Sequence, residues 1–111
     1  MAYDERLAGR IRTLVHDEPG LTEQRMFGGL AFLVGGHMAV AARGGGGLMV
    51  HVDPAQTDAI LATTSARRAE MRGRTMDGWL IVASQDLMDD DALAHWVALG
   101  TAQARSLPPK A

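Results

Sequence analysis

Residues 30–52 read LAFLVGGHMAVAARGGGGLMVHV, and this stretch decides the fold. Leu30–Val34 is a short apolar run rich in strand formers, and Gly35-Gly36 supplies both positive-φ positions of a tight hairpin turn. His37–Arg43 returns along it. Gly44–Gly47 makes a second, looser turn, and Leu48–Val52 completes a third strand. The tight turn sets Val34 opposite His37 and Phe32 opposite Ala39. Four glycines leave the third strand open by one residue of register, which would exchange its faces. All three strands are apolar on both sides. Helices would then cover one face, and a partner or more chain part of the other.

Outward from this core, a helix is predicted from about Asp4 to Asp17. Leu7, Ile11, Leu14 and Val15 form one stripe, Asp4 and Glu5 suit the positive helix end, and Pro19-Gly20 ends it. Asp53-Pro54 opens a second helix with an N-cap and a proline at its first position; Ala55, Ala59, Ile60 and Ala62 make its apolar face. Asp77-Gly78 signals a hairpin turn between Met71–Met76 and Trp79–Ala83. A last helix starts near Asp89 and buries Leu93, Trp96, Val97, Leu99 and Gly100, with Leu107-Pro108-Pro109 as its stop. The order is α-β-β-β-α-β-β-α, an α+β two-layer sandwich with an antiparallel sheet, expected as one domain over residues 1–111.

Composition removes several classes of function. With no cysteine among 111 residues there are no disulfides, thiolate metal sites or thiol catalysis. This fits a reducing compartment, so a cytoplasmic location is expected. No apolar run approaches the roughly 20 residues of a membrane span. A net charge of −2 gives no basic footprint for nucleic acid, although ten of the eleven cations are Arg.

Candidate chemistry is sparse. His16, His37, His51 and His95 lack any metal-ligand spacing on a helix, and no HExxH appears. Ser65, Ser84 and Ser106 lack a nucleophile elbow. The acidic run Asp86, Asp89, Asp90, Asp91 lacks a calcium-loop pattern, and the charge preference of a helix N-terminus explains it. The glycine clusters join antiparallel strands and are turns, not phosphate loops. No catalytic residue, cofactor or metal is therefore expected. The densest charge feature is Arg67, Arg68, Arg72 and Arg74, placed in an exposed connection between the second helix and the second hairpin. These could track phosphates, but all aromatics except Tyr3 are assigned to the core, so no base-stacking platform accompanies them.

The stretch Arg25-Met26-Phe27-Gly28-Gly29-Leu30-Ala31-Phe32, followed by Gly36-His37-Met38-Ala39, Leu48-Met49-Val50-His51-Val52 and Asp53-Pro54, resembles the TfoX N-terminal domain family. Gly73-Arg74-Thr75-Met76-Asp77-Gly78-Trp79 and the two chain ends also match small stand-alone, bacterial members. The resemblance implies the sandwich of the TfoX-N/YgaC group, similar to the secretion-chaperone-like fold. Longer TfoX/Sxy proteins add a C-terminal domain and regulate competence genes; 111 residues leave no room for that domain. The family carries no established catalytic residues to transfer. Arg25, Met26, Phe27, Gly28 and Gly29 are read as structural: Met26 and Phe27 anchor the sheet, and the glycines allow a turn or bulge.

The expectation is thus a non-enzymatic regulatory or interaction module with an unknown protein partner and a homodimer as one form. A nucleic-acid protein using Arg67–Arg74 is the second reading. A metal-binding protein or enzyme built on His37 and His51, with Asp53 just beyond, is the third.

Overall fold

The computed structural model describes residues 3–26 and 28–110. Its order is α1 (Glu5–Val15), β1 (Leu21–Met26), β2 (Gly29–Val34), β3 (His37–Ala42), β4 (Leu48–His51), α2 (Thr57–Thr63), β5 (Arg67–Met71), β6 (Arg74–Val82) and α3 (Asp90–Ser106). Short 3₁₀ turns at Pro54–Gln56 and Ser84–Leu87 precede α2 and α3. The strands form one antiparallel sheet in the order β1-β2-β3-β4-β6-β5. The α+β class stands, with one more strand than the sequence pattern revealed. The extra strand is β1, Leu-Thr-Glu-Gln-Arg-Met, whose four central residues are exposed and so give no apolar signal.

The cap expected at Asp53 forms, and Asp4 and Asp89, placed by the sequence at the positive helix ends, cap as well. The Asp4 carboxylate accepts from the N–H groups of Arg6 and Leu7 at 2.9 and 3.2 Å, and Asp89 accepts from Ala92 at 3.0 Å. Asp53 accepts from Ala55 at 2.9 Å, but it caps the 3₁₀ turn that leads into α2. The face assigned to α2 needs correction: Ala55, Ala59 and Ala62 are exposed, and Thr57 is the residue that turns inward. Its hydroxyl oxygen accepts from the Gly78 N–H at 3.0 Å, so this buried oxygen is satisfied.

Two strand assignments change. Val34 does pair with His37, but Phe32 pairs with Val40, because a bulge leaves Ala39 without a partner in the ladder. The second hairpin turns at Arg72-Gly73, where Met71 pairs with Arg74, and not at Asp77-Gly78. Both turn residues have positive φ, 55° for Arg72 and 78° for Gly73. Asp77-Gly78 instead lies within β6 at a register break: Ala69 pairs with Met76, yet Arg68 pairs with Leu80. Gly78, at φ 87°, passes so near Val52 and Pro54 that an added Cβ would sit 3.1 Å from each.

The ladder between β3 and β4 settles the open register. Leu48 and Val50 point to the helices, joined there by Leu30, Phe32, Val40, Leu80 and Val82. Against them pack Leu7, Ile11 and Val15 of α1 and Leu93, Trp96 and Val97 of α3. Gly100 is the point of closest approach. A Cβ there would lie 2.3 Å from the Ala39 carbonyl oxygen and 2.8 Å from a Val40 methyl.

Ion pairs fasten α1 to its neighbours: Arg12 to Glu23 at 2.7 Å, and Arg10 to Asp90 at 3.0 Å. Arg105 reaches Glu18 at 2.6 Å. Hydrogen bonds from Arg105 and Arg12 hold the carboxyls of Glu18 and Glu23, respectively, below the usual carboxylate range. The chain end straps back over the β2–β3 turn, with Lys110 N–H on the Gly35 carbonyl at 2.8 Å and the His37 Nε2 on the Pro108 carbonyl at 2.7 Å.

Two substitutions test this packing. Gly100→Ala raises intrinsic helix propensity by about 1 kcal/mol but forces α3 off β3. A net loss of about 1–3 kcal/mol is expected in chemical denaturation, as for overpacked cores. Arg72→Asn relieves a left-handed arginine in a turn that favours Asn-Gly, and a gain of up to about 1 kcal/mol is expected in the same measurement.

Candidate functional site

The face of the sheet away from the helices carries a second apolar cluster. Strand alternation sends Ala31 and Leu33 of β2, Ala41 of β3 and Met49 of β4 to that side, where Met26 and Met38 join them. Ala31, Leu33 and Ala41 are buried and form the floor. Met26, Met38 and Met49 are half-buried and stand over it. Small floor residues between long thioether side chains leave a cleft of about 230 Å³. Arg43 and Glu70 line it as well and give it charges of opposite sign.

Beside this cleft, His51 and Trp79 occupy directly paired positions of β4 and β6. Their rings stack in parallel with centroids 4.0 Å apart. The Met38 carbonyl accepts from Nδ1–H of His51 at 3.1 Å, which fixes the neutral tautomer and leaves Nε2 with its lone pair. Burial pushes the His51 pKa down; the bond to Met38 acts in the opposite direction, and His37 adds a smaller downward push. Trp79 is therefore no core residue, contrary to its assignment from the sequence; it is half-buried on this second face.

The arginine segment is dispersed by the fold. Instead of one exposed connection, Arg67 and Arg68 lie in the edge strand β5, Arg72 in the turn and Arg74 at the start of β6. Arg68 is engaged by two carboxylates, those of Asp58 and, at 3.0 Å, Asp77. Arg67, Arg72 and Arg74 are exposed.

Neither histidine of the metal reading faces a ligand set. His37 bonds the Pro108 carbonyl and His51 the Met38 carbonyl. Among the described residues, no three His, Asp or Glu side chains come together in a way that could hold a metal ion. Three of the four aspartates in the acidic run serve structure. Asp86 accepts from the Ser65 hydroxyl at 2.8 Å, Asp89 caps α3, and Asp90 pairs with Arg10. A more polar cleft of about 480 Å³ near Arg6, Arg10, Ser84 and Gln85 also holds Asp4 and Asp90, so its charges oppose one another.

Of the family block, Arg25 and Met26 end β1, and Gly28 follows at φ 77°. Gly29 opens β2 so close to β3 that a Cβ would meet the Ala42 carbonyl oxygen at 2.3 Å. Phe27, assigned as an anchor, lies outside the described residues. The sequence model of the TfoX N-terminal domain matches residues 13–104, which hold the whole sheet and all but the first turns of α1 and the end of α3. The chain belongs to the TfoX N-terminal domain family. No curated protein matches it. This family is not a known enzyme family. Among the described residues, no helix of this TfoX N-terminal domain is long and apolar enough to cross a membrane.

The methionine face went unnamed in the sequence, although the two-sided apolarity of β2–β4 carried its signal. The His51 environment can be checked directly. Its folded pKa lies below the ordinary 6.5, so below about pH 6.5 the unfolded chain binds a proton that the folded chain refuses. Stability is expected to fall as pH drops from 7 through the folded pKa. Denaturant midpoints of His51→Gln should show a shallower slope across that window.

Proposed function

We propose that this domain is a non-enzymatic interaction module that binds an apolar segment of a partner protein along the cleft of Met26, Met38 and Met49. The observation that supports this is the half-exposed methionine cluster on an alanine floor. Methionine is flexible and polarizable, so several such side chains can mould to different apolar surfaces. A face of this kind on a small domain marks a contact surface more often than a solvent boundary. Arg43 and Glu70 in the lining offer a bound segment charges of both signs. The regulatory role implied by the family, in transcription or competence, would be exercised through that contact. The cysteine-free composition supports a cytoplasmic location for this domain.

A nucleic-acid reading rests on Arg67, Arg72 and Arg74, since Arg68 is already paired. Three phosphate contacts would give a log–log salt slope near −2.7 on duplex DNA, from about 0.9 per phosphate.

The test places a photo-crosslinking amino acid at Met49 in cells, with Met88 as control because it is 79% exposed away from the cleft. A discrete protein adduct from the Met49 position, lost when Met38→Glu charges the cleft, is expected. Adducts that match those from Met88, or that persist in Met38→Glu, would overturn the reading.

A further inference from the structure

Strand β1 ends one side of the sheet, and its outer edge is built unlike the other. The opposite edge, β5, is protected. A register break interrupts its ladder, a strained turn closes it, and Arg68 is clamped by Asp58 and Asp77. By contrast, β1 pairs with β2 in unbroken register from Leu21↔Val34 to Met26↔Gly29 and contains no Pro, Gly, Lys or bulge.

Which backbone groups of β1 remain open follows from one bond. The Gly20 carbonyl accepts from Gly35 N–H at 3.2 Å, so Gly20 faces β2, and by alternation so do Thr22, Gln24 and Met26. Leu21, Glu23 and Arg25 therefore aim their N–H and C=O groups outward. The Leu21 N–H is met by the Glu18 carbonyl at 3.3 Å, on the outer side as this requires.

We propose that β1 pairs antiparallel with β1 of a second copy, with Gln24 on the two-fold axis, joining two six-stranded sheets into one. An isologous antiparallel pair must bring outward residues opposite outward residues, so the axis passes through a residue. An axis at Glu23 or at Arg25 sets like charges face to face, which is destabilising. An axis at Thr22 runs the pair into Pro19 after a few residues. The axis at Gln24 alone combines length with charge: Glu23 lies opposite the second copy's arginine 25, twice, and Thr22 lies opposite methionine 26. Arg25 makes no ion pair within the chain among the described residues, whereas Glu23 already faces Arg12. In the dimer each Glu23 carboxylate sits between two guanidinium groups. The methionine faces of the two copies then lie side by side on one continuous sheet and remain open, so this pairing is independent of the partner contact proposed above.

The absence of cysteine makes the test clean. Light scattering on the eluted wild-type protein at high micromolar concentration should give twice 11.8 kDa. Gln24→Cys places one thiol at a non-hydrogen-bonded pair with Cα atoms about 4.5 Å apart, within disulfide reach. Mild oxidation should convert it to a covalent dimer. Thr22→Cys puts its two thiols about 13 Å apart along the strands and should stay uncrosslinked. Arg25→Glu should raise the dissociation constant at least tenfold while circular dichroism stays unchanged. A wild-type monomer at that concentration overturns the proposal. So does a dimer in which Gln24→Cys fails to crosslink, or one in which Thr22→Cys crosslinks equally fast.

Discussion

The approach of α3 to β3 at Gly100 is the constraint on which the rest of the structure depends. A 17-residue helix lies across the middle of a six-stranded sheet, and the missing side chain lets it settle against the Ala39 carbonyl. That proximity seats Leu93, Trp96 and Val97 over Val40 and Val50 as one apolar layer. It also coincides with the bulge that removes Ala39 from its ladder. With α1 alongside and α2 at the margin, all helical mass gathers on one side. Burying a methylene is worth about 0.8 kcal/mol, so the layer under α3 carries the cohesion, while the second face is free to be shaped for another purpose.

Electrostatics finish what packing begins. Arg10–Asp90 and Arg105–Glu18 connect segments distant in the chain and Arg12–Glu23 joins the successive α1 and β1, so the three pairs tie α1, β1, α3 and the α1–β1 connection together. Exposed pairs of this kind are worth at most about 1 kcal/mol each. Their value lies in orientation. Glu18, whose side chain is only 12% exposed, receives two hydrogen bonds from the Arg105 fork and fixes the entry to β1. The edge of the sheet is thereby presented in one geometry.

Much of this was legible in the residues, and the failures have physical causes. Gly35-Gly36 could only be a tight turn, and Asp4, Asp53 and Asp89 each capped a helical turn, since local chemistry determines such features. Strand β1 was invisible because an edge strand exposes its side chains, and Thr22–Arg25 look like a loop to any reading based on burial. The Asp77-Gly78 pair misled because the positive φ of Gly78 serves a register break within β6, while tertiary pairing placed the turn on Arg72, a poor turn former. Thr57 gave no sign of burial, because its partner, the Gly78 N–H, lies 21 residues away. The methionine cleft depended on which way β4 faced, and four flexible glycines withheld that register until the ladder with β3 was seen.

The strap that returns over the β2–β3 turn has a consequence for anything joined to it. Lys110 hangs from the Gly35 carbonyl, at the end of β2 opposite Gly29 and its partner Met26. Five residue steps of strand, roughly 17 Å, separate the two ends. A reporter, tag or further domain attached behind Lys110 would leave the molecule at the turn, close to Met38 and at the far end of β2 from Met26. Any attached body would therefore approach the cleft from its Met38 end and leave the Met26 end open.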